Sequence, residues 1–191
     1  MSSTTRTQAK ADRRDALLRA AASLFAERGF ERVSLDDLGG AVGVSGPALY
    51  RHFAGKQAVL AALLVDTSEG LWQGGQRVVA DAPDARTALT DLVAFHVDFA
   101  LANADVIRVH DRDLDSLLDA DRHRVRSLQR QYVEFWVDVL AQVVANEARP
   151  ALRTRAHAVF GLINSTPHSG RDRDSRSLLA TMALAALTAQ P

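Results

Sequence analysis

The chain has 191 residues, 47% of them hydrophobic and 24% charged, and its 23 basic and 23 acidic residues cancel to a formal net charge of zero. This apolar fraction excludes a disordered protein, and a chain of this length can hide roughly 70% of its unfolded surface in a core. The absence of cysteine excludes disulfides, thiolate metal sites and a cysteine nucleophile, and no apolar run approaches the ~20 residues of a membrane span.

The polar stretch from Met1 to Lys10 has no apolar signal core, so a soluble, cytoplasmic protein is expected. Zero net charge conceals an asymmetry. Nine basic residues face six acidic ones up to Lys56, and the remainder carries 14 against 17. A basic amino end on a neutral protein suits an anionic partner there.

Period-2 alternation of β-branched residues is absent, and every segment reads as helix. Over residues 11–28, Leu17, Leu18, Ala21, Leu24 and Phe25 form one apolar stripe; Gly29 is the natural stop, with Phe30 folding back on the last turn. Ser34 reads as an N-cap with Asp37 at the capping-box position, opening a short helix to about Val42. After a tight turn at Gly43, Ser45 caps a third helix with Pro47 in its first turn, ending near Phe53. Gly55 breaks the chain before a long helix from Lys56 to about Val79.

Further helices are expected over 85–101, 105–110, 122–146, 150–164 and 177–189. The broken acidic stretch before Arg122 imitates a calcium loop at Asp111, Asp113 and Asp115. However, Ser116 stands where that loop needs glycine and Arg122 where it needs glutamate, so a solvated acidic loop is expected and no metal site. His96 reads as a satisfied bundle histidine. Ser165 and His168 lack a nucleophile elbow, and no catalytic cluster can be assembled, so no enzyme and no cofactor are expected. The fold class is all-α, about nine helices: a three-helix unit over 1–56 and a larger bundle over 57–191.

Residues 34–53 have helix-turn-helix arithmetic, two short helices about a glycine turn. Leu35, Leu38, Val42, Val44, Leu49 and Phe53 pack the pair inward. The second helix keeps a polar face and a slim leading end at Gly46 and Pro47, which suits entry into a groove. Tyr50, Arg51 and His52 supply donors, and Lys56 opens the next helix with a charge suited to a phosphate.

These residues resemble the DNA-binding domain of TetR/AcrR-type transcriptional regulators. The similarity runs through Leu24-Phe-Ala-Glu-Arg-Gly-Phe30, the Gly43-Val-Ser45 turn, Leu49-Tyr-Arg-His-Phe53 and Lys56, about the first 60 residues. It implies base-facing or groove-facing roles for Ser45, Gly46, Pro47 and Tyr50, and phosphate contacts for Ser34, Tyr50, His52 and Lys56; Arg51 is an added candidate on the same helix. The chain departs from that pattern at Gly39 and Val42, where alanine is usual, and at Gly40. Asp36 and Asp37 put negative charge where a helix start normally nears phosphate, so extra DNA contacts from that helix are not expected.

For the remainder the resemblance implies effector binding and dimerisation. Phe95, Phe99, Ile107, Leu118, Leu128, Tyr132, Phe135 and Trp136 are candidate walls of an apolar cavity, with Arg108 and Asn164 as polar orienters. The segments 129–136 and 161–169 resemble actinobacterial regulators encoded near acyl-CoA metabolism genes, pointing to an acyl-CoA or fatty-acyl effector. Leu152, Ala156, Val159, Phe160 and Ile163, then Leu178, Leu179, Met182, Ala186 and Leu187, form apolar seams that the resemblance assigns to a homodimer interface. The expected function is a repressor that leaves a palindromic operator when effector binds. A helical interaction or ligand-binding module without specific DNA binding is the alternative.

Overall fold

The computed structural model describes residues 2–43, 49–166 and 173–189. Among them are eight α-helices: α1 (Ser2–Arg28), α2 (Leu35–Ala41), α3 (Lys56–Asp81), α4 (Ala85–Ala102), α5 (Ala104–Asp113), α6 (Asp119–Val143), α7 (Arg149–Ile163) and α8 (Arg173–Thr188). Short 3-10 turns lie at Phe30–Arg32 and Leu114–Ser116. The all-α class is as expected. The third expected helix, Ser45 to about Phe53, lies in part outside the described residues, at 45–48; of the rest Leu49 is helical and 50–52 form a turn.

Two compact units divide the chain: Met1–Asp66 with Arg108–Arg124, and Thr67–Ile107 with Val125–Pro191. The first therefore reaches beyond the boundary expected at Lys56 and recruits a later segment. Two side-chain links account for this. Arg14 of α1 pairs with Asp66 of α3 at 2.5 Å, and Arg112 at the end of α5 donates to the carbonyl oxygens of Phe25 and Ala26.

Within the first unit, α1 starts earlier than the apolar stripe suggested, and the Gln8 amide bonds Asp12 one turn on, at 2.9 Å. It stops at Gly29, whose φ of +86° suits glycine and whose N–H returns to Phe25 O at 2.8 Å. Phe30 then packs edge-on against Phe25, ring centres 5.5 Å apart, and both are buried. Asp111, Asp115 and Asp119 are exposed, as a solvated acidic stretch requires. Asp113 departs from it: it is 6% exposed, and both its oxygens accept from Arg112, through Nε at 3.1 Å and a terminal nitrogen at 2.9 Å.

In the second unit α7 and α8 pack on α4, around Leu92, Val97, Trp136, Leu152, Val159 and Ala183. Gly74 and Gly75 on α3 sit under side chains: a Cβ on Gly74 would lie 2.3 Å from Phe95 Cζ, and one on Gly75 2.9 Å from Tyr132 Cε2. Larger residues there would force the rings of α4 and α6 off the α3 backbone. α6 begins earlier than expected and ends at Val143, and the link to α7 includes Asn146 at φ +63°. No described helix is long and apolar enough to cross a membrane.

Candidate nucleic-acid interface and effector region

The expected capping box is present. Ser34 Oγ accepts from Asp37 N–H at 3.1 Å, while the Asp37 carboxylate accepts from Ser34 N–H at 2.8 Å. These bonds from Ser34, the side chain first, hold the Asp37 carboxyl below its ordinary range. Asp37 is thus occupied with its own helix start, and so is the Ser34 hydroxyl, a candidate phosphate contact.

Behind the turn, Leu49 and Phe53 are buried one helical turn apart, with the Arg14 guanidinium 5.5 Å from the Phe53 ring centre. Anchoring those two inward turns their neighbours outward. Tyr50 is 60% exposed, Arg51 is exposed and His52 half-buried. Ser45, Gly46 and Pro47 lie outside the described residues.

Lys56 has a structural role beside the phosphate contact its position suggested. Its ammonium donates to the carbonyl oxygens of Phe30 at 2.9 Å and Glu31 at 3.2 Å, and lies 4.3 Å from the Phe30 ring centre. The charge closes the 3-10 turn after α1.

The effector candidates sort by unit. Arg108 and Leu118 belong to the first, where Leu118 is 61% exposed, a surface side chain rather than the cavity wall expected of it. In the second, Ile107 is buried, while Phe95, Leu128 and Phe135 are half-buried. Tyr132, Trp136, Phe99 and Asn164 gather about a residue read as a satisfied core histidine. His96 is 3% exposed, and its ring centre lies 5.7 Å from Tyr132, 5.8 Å from Trp136, 5.9 Å from Phe99 and 5.0 Å from Phe160.

Tyr132 Oη lies 3.4 Å from His96 Nδ1, and the Asn164 side chain approaches the imidazole as the Trp136 indole approaches the Tyr132 phenol, although His96 Nε2, Trp136 Nε1 and Asn164 Oδ1 make no well-aligned hydrogen bond. Burial pushes the imidazole down to about 4, opposed in part by the nearby Asn164, so it is neutral at pH 7. Phe99, Tyr132, Trp136 and Asn164 were expected together, and His96 and Phe160 join them in one cluster. Phe160, expected in a dimer seam, belongs to it instead.

A groove of about 450 Å³ runs between α6 and α7, bordered by Arg126, Arg130, Arg153 and Glu134. Arg153 and Arg149 bond the Glu134 carboxylate and hold it down at about 2.

The dimer seams also need correction. Leu152, Ala156, Val159, Ile163, Leu179 and Leu187 are buried in the chain's own core, where α7 and α8 pack on each other. A periodic apolar stripe marks a buried face without naming what buries it. Of the expected seam residues, Leu178 (60% exposed), Met182 (46%) and Ala186 face outward, beside exposed Ala185; Thr154, Ala158 and Gly161 are exposed on α7.

Comparison with known proteins agrees with this architecture. Residues 17–63 match the family described as bacterial regulatory proteins, tetR family, and residues 82–168 match the tetracyclin repressor-like, C-terminal domain. The HTH-type transcriptional repressor KstR2 of Rhodococcus jostii is 30% identical over 135 residues, which span 70% of this chain and 66% of that protein. A TetR-family transcriptional regulator from Bordetella parapertussis shares the fold at a TM-score of 0.80 with 24% identity, covering 91% of this chain and 93% of that one. FadR from Bacillus subtilis in complex with stearoyl-CoA does so at 0.74 with 14% identity, covering 91% and 97%.

Proposed function

The chain belongs to the TetR family of bacterial regulatory proteins, and on that footing we propose that it represses transcription as a homodimer and leaves its operator when an apolar, acyl-type effector binds the second unit. The observation that carries the DNA-binding part is the outward Tyr50–Arg51 edge, fixed by buried Leu49 and Phe53 behind a capped α2. One such short segment reads few base pairs, so two copies about 34–36 Å apart are needed for successive major grooves of a palindromic site. The outward apolar face of α7 and α8 is the surface on which two copies would pair.

The ring cluster offers an apolar effector the only kind of contact that it favours, and FadR, of the same fold, holds stearoyl-CoA. An anionic carrier has complementary charge at Arg126 and Arg130 in the groove between α6 and α7, where Arg153 is paired with Glu134.

The test is fluorescence anisotropy against duplexes from the DNA flanking its own gene, with and without stearoyl-CoA. Specific binding that weakens with added salt and is lost with acyl-CoA supports the reading. Equal affinity for operator and random duplexes overturns its DNA half. Operator binding that ignores acyl-CoA overturns its effector half.

A further inference from the structure

The groove between α6 and α7 is open, with a volume of about 450 Å³, whereas the ring cluster around His96 is closed packing. A ligand enters a preformed groove with little rearrangement of the protein, which favours it as a binding place. Its volume falls within the range of small-molecule sites.

The walls carry donors on both helices. Arg130 of α6 is exposed and bonds none of the described residues, and Arg126 borders the groove one turn before it. Arg153 and His157 stand one turn apart on α7. Of the described carboxylates only Glu134 borders the groove, and it is already engaged. It accepts from Arg153 Nε at 2.5 Å and from Arg149 at 3.1 Å, and these bonds hold its carboxyl down at about 2. Arg149 is matched in turn by Asp138 at 2.8 Å. Because Glu134 takes Arg153 through Nε, the two terminal nitrogens of that guanidinium keep their hydrogens for another acceptor.

We propose that this groove is a site for a pyrophosphate-bearing ligand of nucleotide size, its phosphoryl oxygens accepting from Arg130 on one wall and from the Arg153 terminal nitrogens and the His157 ring on the other. A carboxylate offers two oxygens and one charge, and a single guanidinium fork uses both. A pyrophosphate spreads more oxygens and more charge over a span that donors on two helices can share. The site does not depend on the effector being acylated. Joined to the effector reading above, on which this corollary rests, it makes the unacylated carrier a competitor for the same groove.

Calorimetric titration of the full chain in magnesium-free buffer compares pyrophosphate, ADP and coenzyme A with adenosine. The three phosphorylated probes are expected to bind with similar affinity, and adenosine not to bind. Arg130→Gln should weaken all three by about tenfold, the worth of one charge-assisted hydrogen bond. Its melting temperature should stay near that of the parent, since the side chain is exposed. Arg77→Gln removes the same charge from an exposed position on α3 outside the groove and should leave binding unchanged.

Adenosine binding as tightly as ADP, no binding of pyrophosphate, or equal losses in Arg130→Gln and Arg77→Gln overturns the site; equal losses would mean attraction to net charge alone. The effector reading fails separately. Pyrophosphate binding that stearoyl-CoA does not displace keeps the groove and removes the effector from it. Operator release by stearoyl-CoA in a chain blind to pyrophosphate overturns the groove alone.

Discussion

The guanidinium of Arg112 donates to the carbonyl oxygen of Ala26 at 3.2 Å and reaches that of Phe25 as well, closing the last turn of α1 from a residue 86 positions along the chain. A helix end leaves carbonyls without intrahelical partners; here a cation from α5 reaches that of Ala26 and adds a second bond to that of Phe25, which already accepts from Gly29 N–H. Asp113 holds the guanidinium in place through two bonds and is itself buried.

Removing the arginine therefore exposes two faults together, an open Ala26 carbonyl and a buried carboxylate without its cation. Arg112→Ala should lower the unfolding free energy by about 2–3 kcal/mol in urea titrations. The double variant Arg112→Ala/Asp113→Asn should recover part of that loss, because no charge is then stranded. A double variant less stable than the single one would mean that Asp113 has another partner.

Lys56 yields a separable prediction. Its two carbonyl bonds and its place over the Phe30 ring stabilise the first unit, so Lys56→Met should cost about 1–2 kcal/mol of stability without any DNA present. Tyr50→Ala should leave the melting curve alone, since the side chain is 60% exposed, and should weaken operator binding by about tenfold. Circular-dichroism melts set beside anisotropy titrations distinguish the two. A Tyr50→Ala protein with parental operator affinity would remove this segment from the interface.

The His96 imidazole sets a pH window. Its pKa is pushed from 6.5 down to about 4 by burial, so between those values the unfolded chain binds a proton that the native one refuses. Stability from this group is full above pH 6.5 and is lost as pH falls toward 4, by up to roughly 3 kcal/mol. Glu134, held near 2 by Arg153 and Arg149, loses its own contribution only below its ordinary 4.5. Urea midpoints measured across the upper window should decline in the parent chain and stay nearly flat in His96→Phe. An equal decline in both would place the titrating group elsewhere.

What the sequence made readable was local. Gly29 as the stop of α1, Phe30 folded onto Phe25, and the Ser34–Asp37 capping box each depend on residues within a few positions, and each is present. The carbonyl bonds of Lys56 were not legible because its partners lie 25 and 26 residues back. His96 is the buried bundle histidine expected, but its partner could not be named: Tyr132 stands 36 residues away, and an apolar stripe does not reveal which polar atoms inside it will meet. The α7 and α8 seams show the same limit. Their period announced burial correctly, and the partner turned out to be the chain itself.

That reassignment sharpens the prediction for dimerisation. Leu179 and Met182 are neighbours one turn apart on α8, the first 9% exposed and the second 46%. A charge at Leu179 must enter the core, so Leu179→Arg should abolish the cooperative melt. A charge at Met182 stays in water within one chain but enters an apolar interface if two copies pair on this face. Met182→Arg should therefore keep its helicity and melt while running as a monomer in light scattering. Because a lone copy meets only one half-site, its operator affinity should fall by more than about tenfold. A Met182→Arg protein that stays dimeric would move the pairing surface away from Leu178, Met182 and Ala186, and with it the basis for two correctly spaced reading segments.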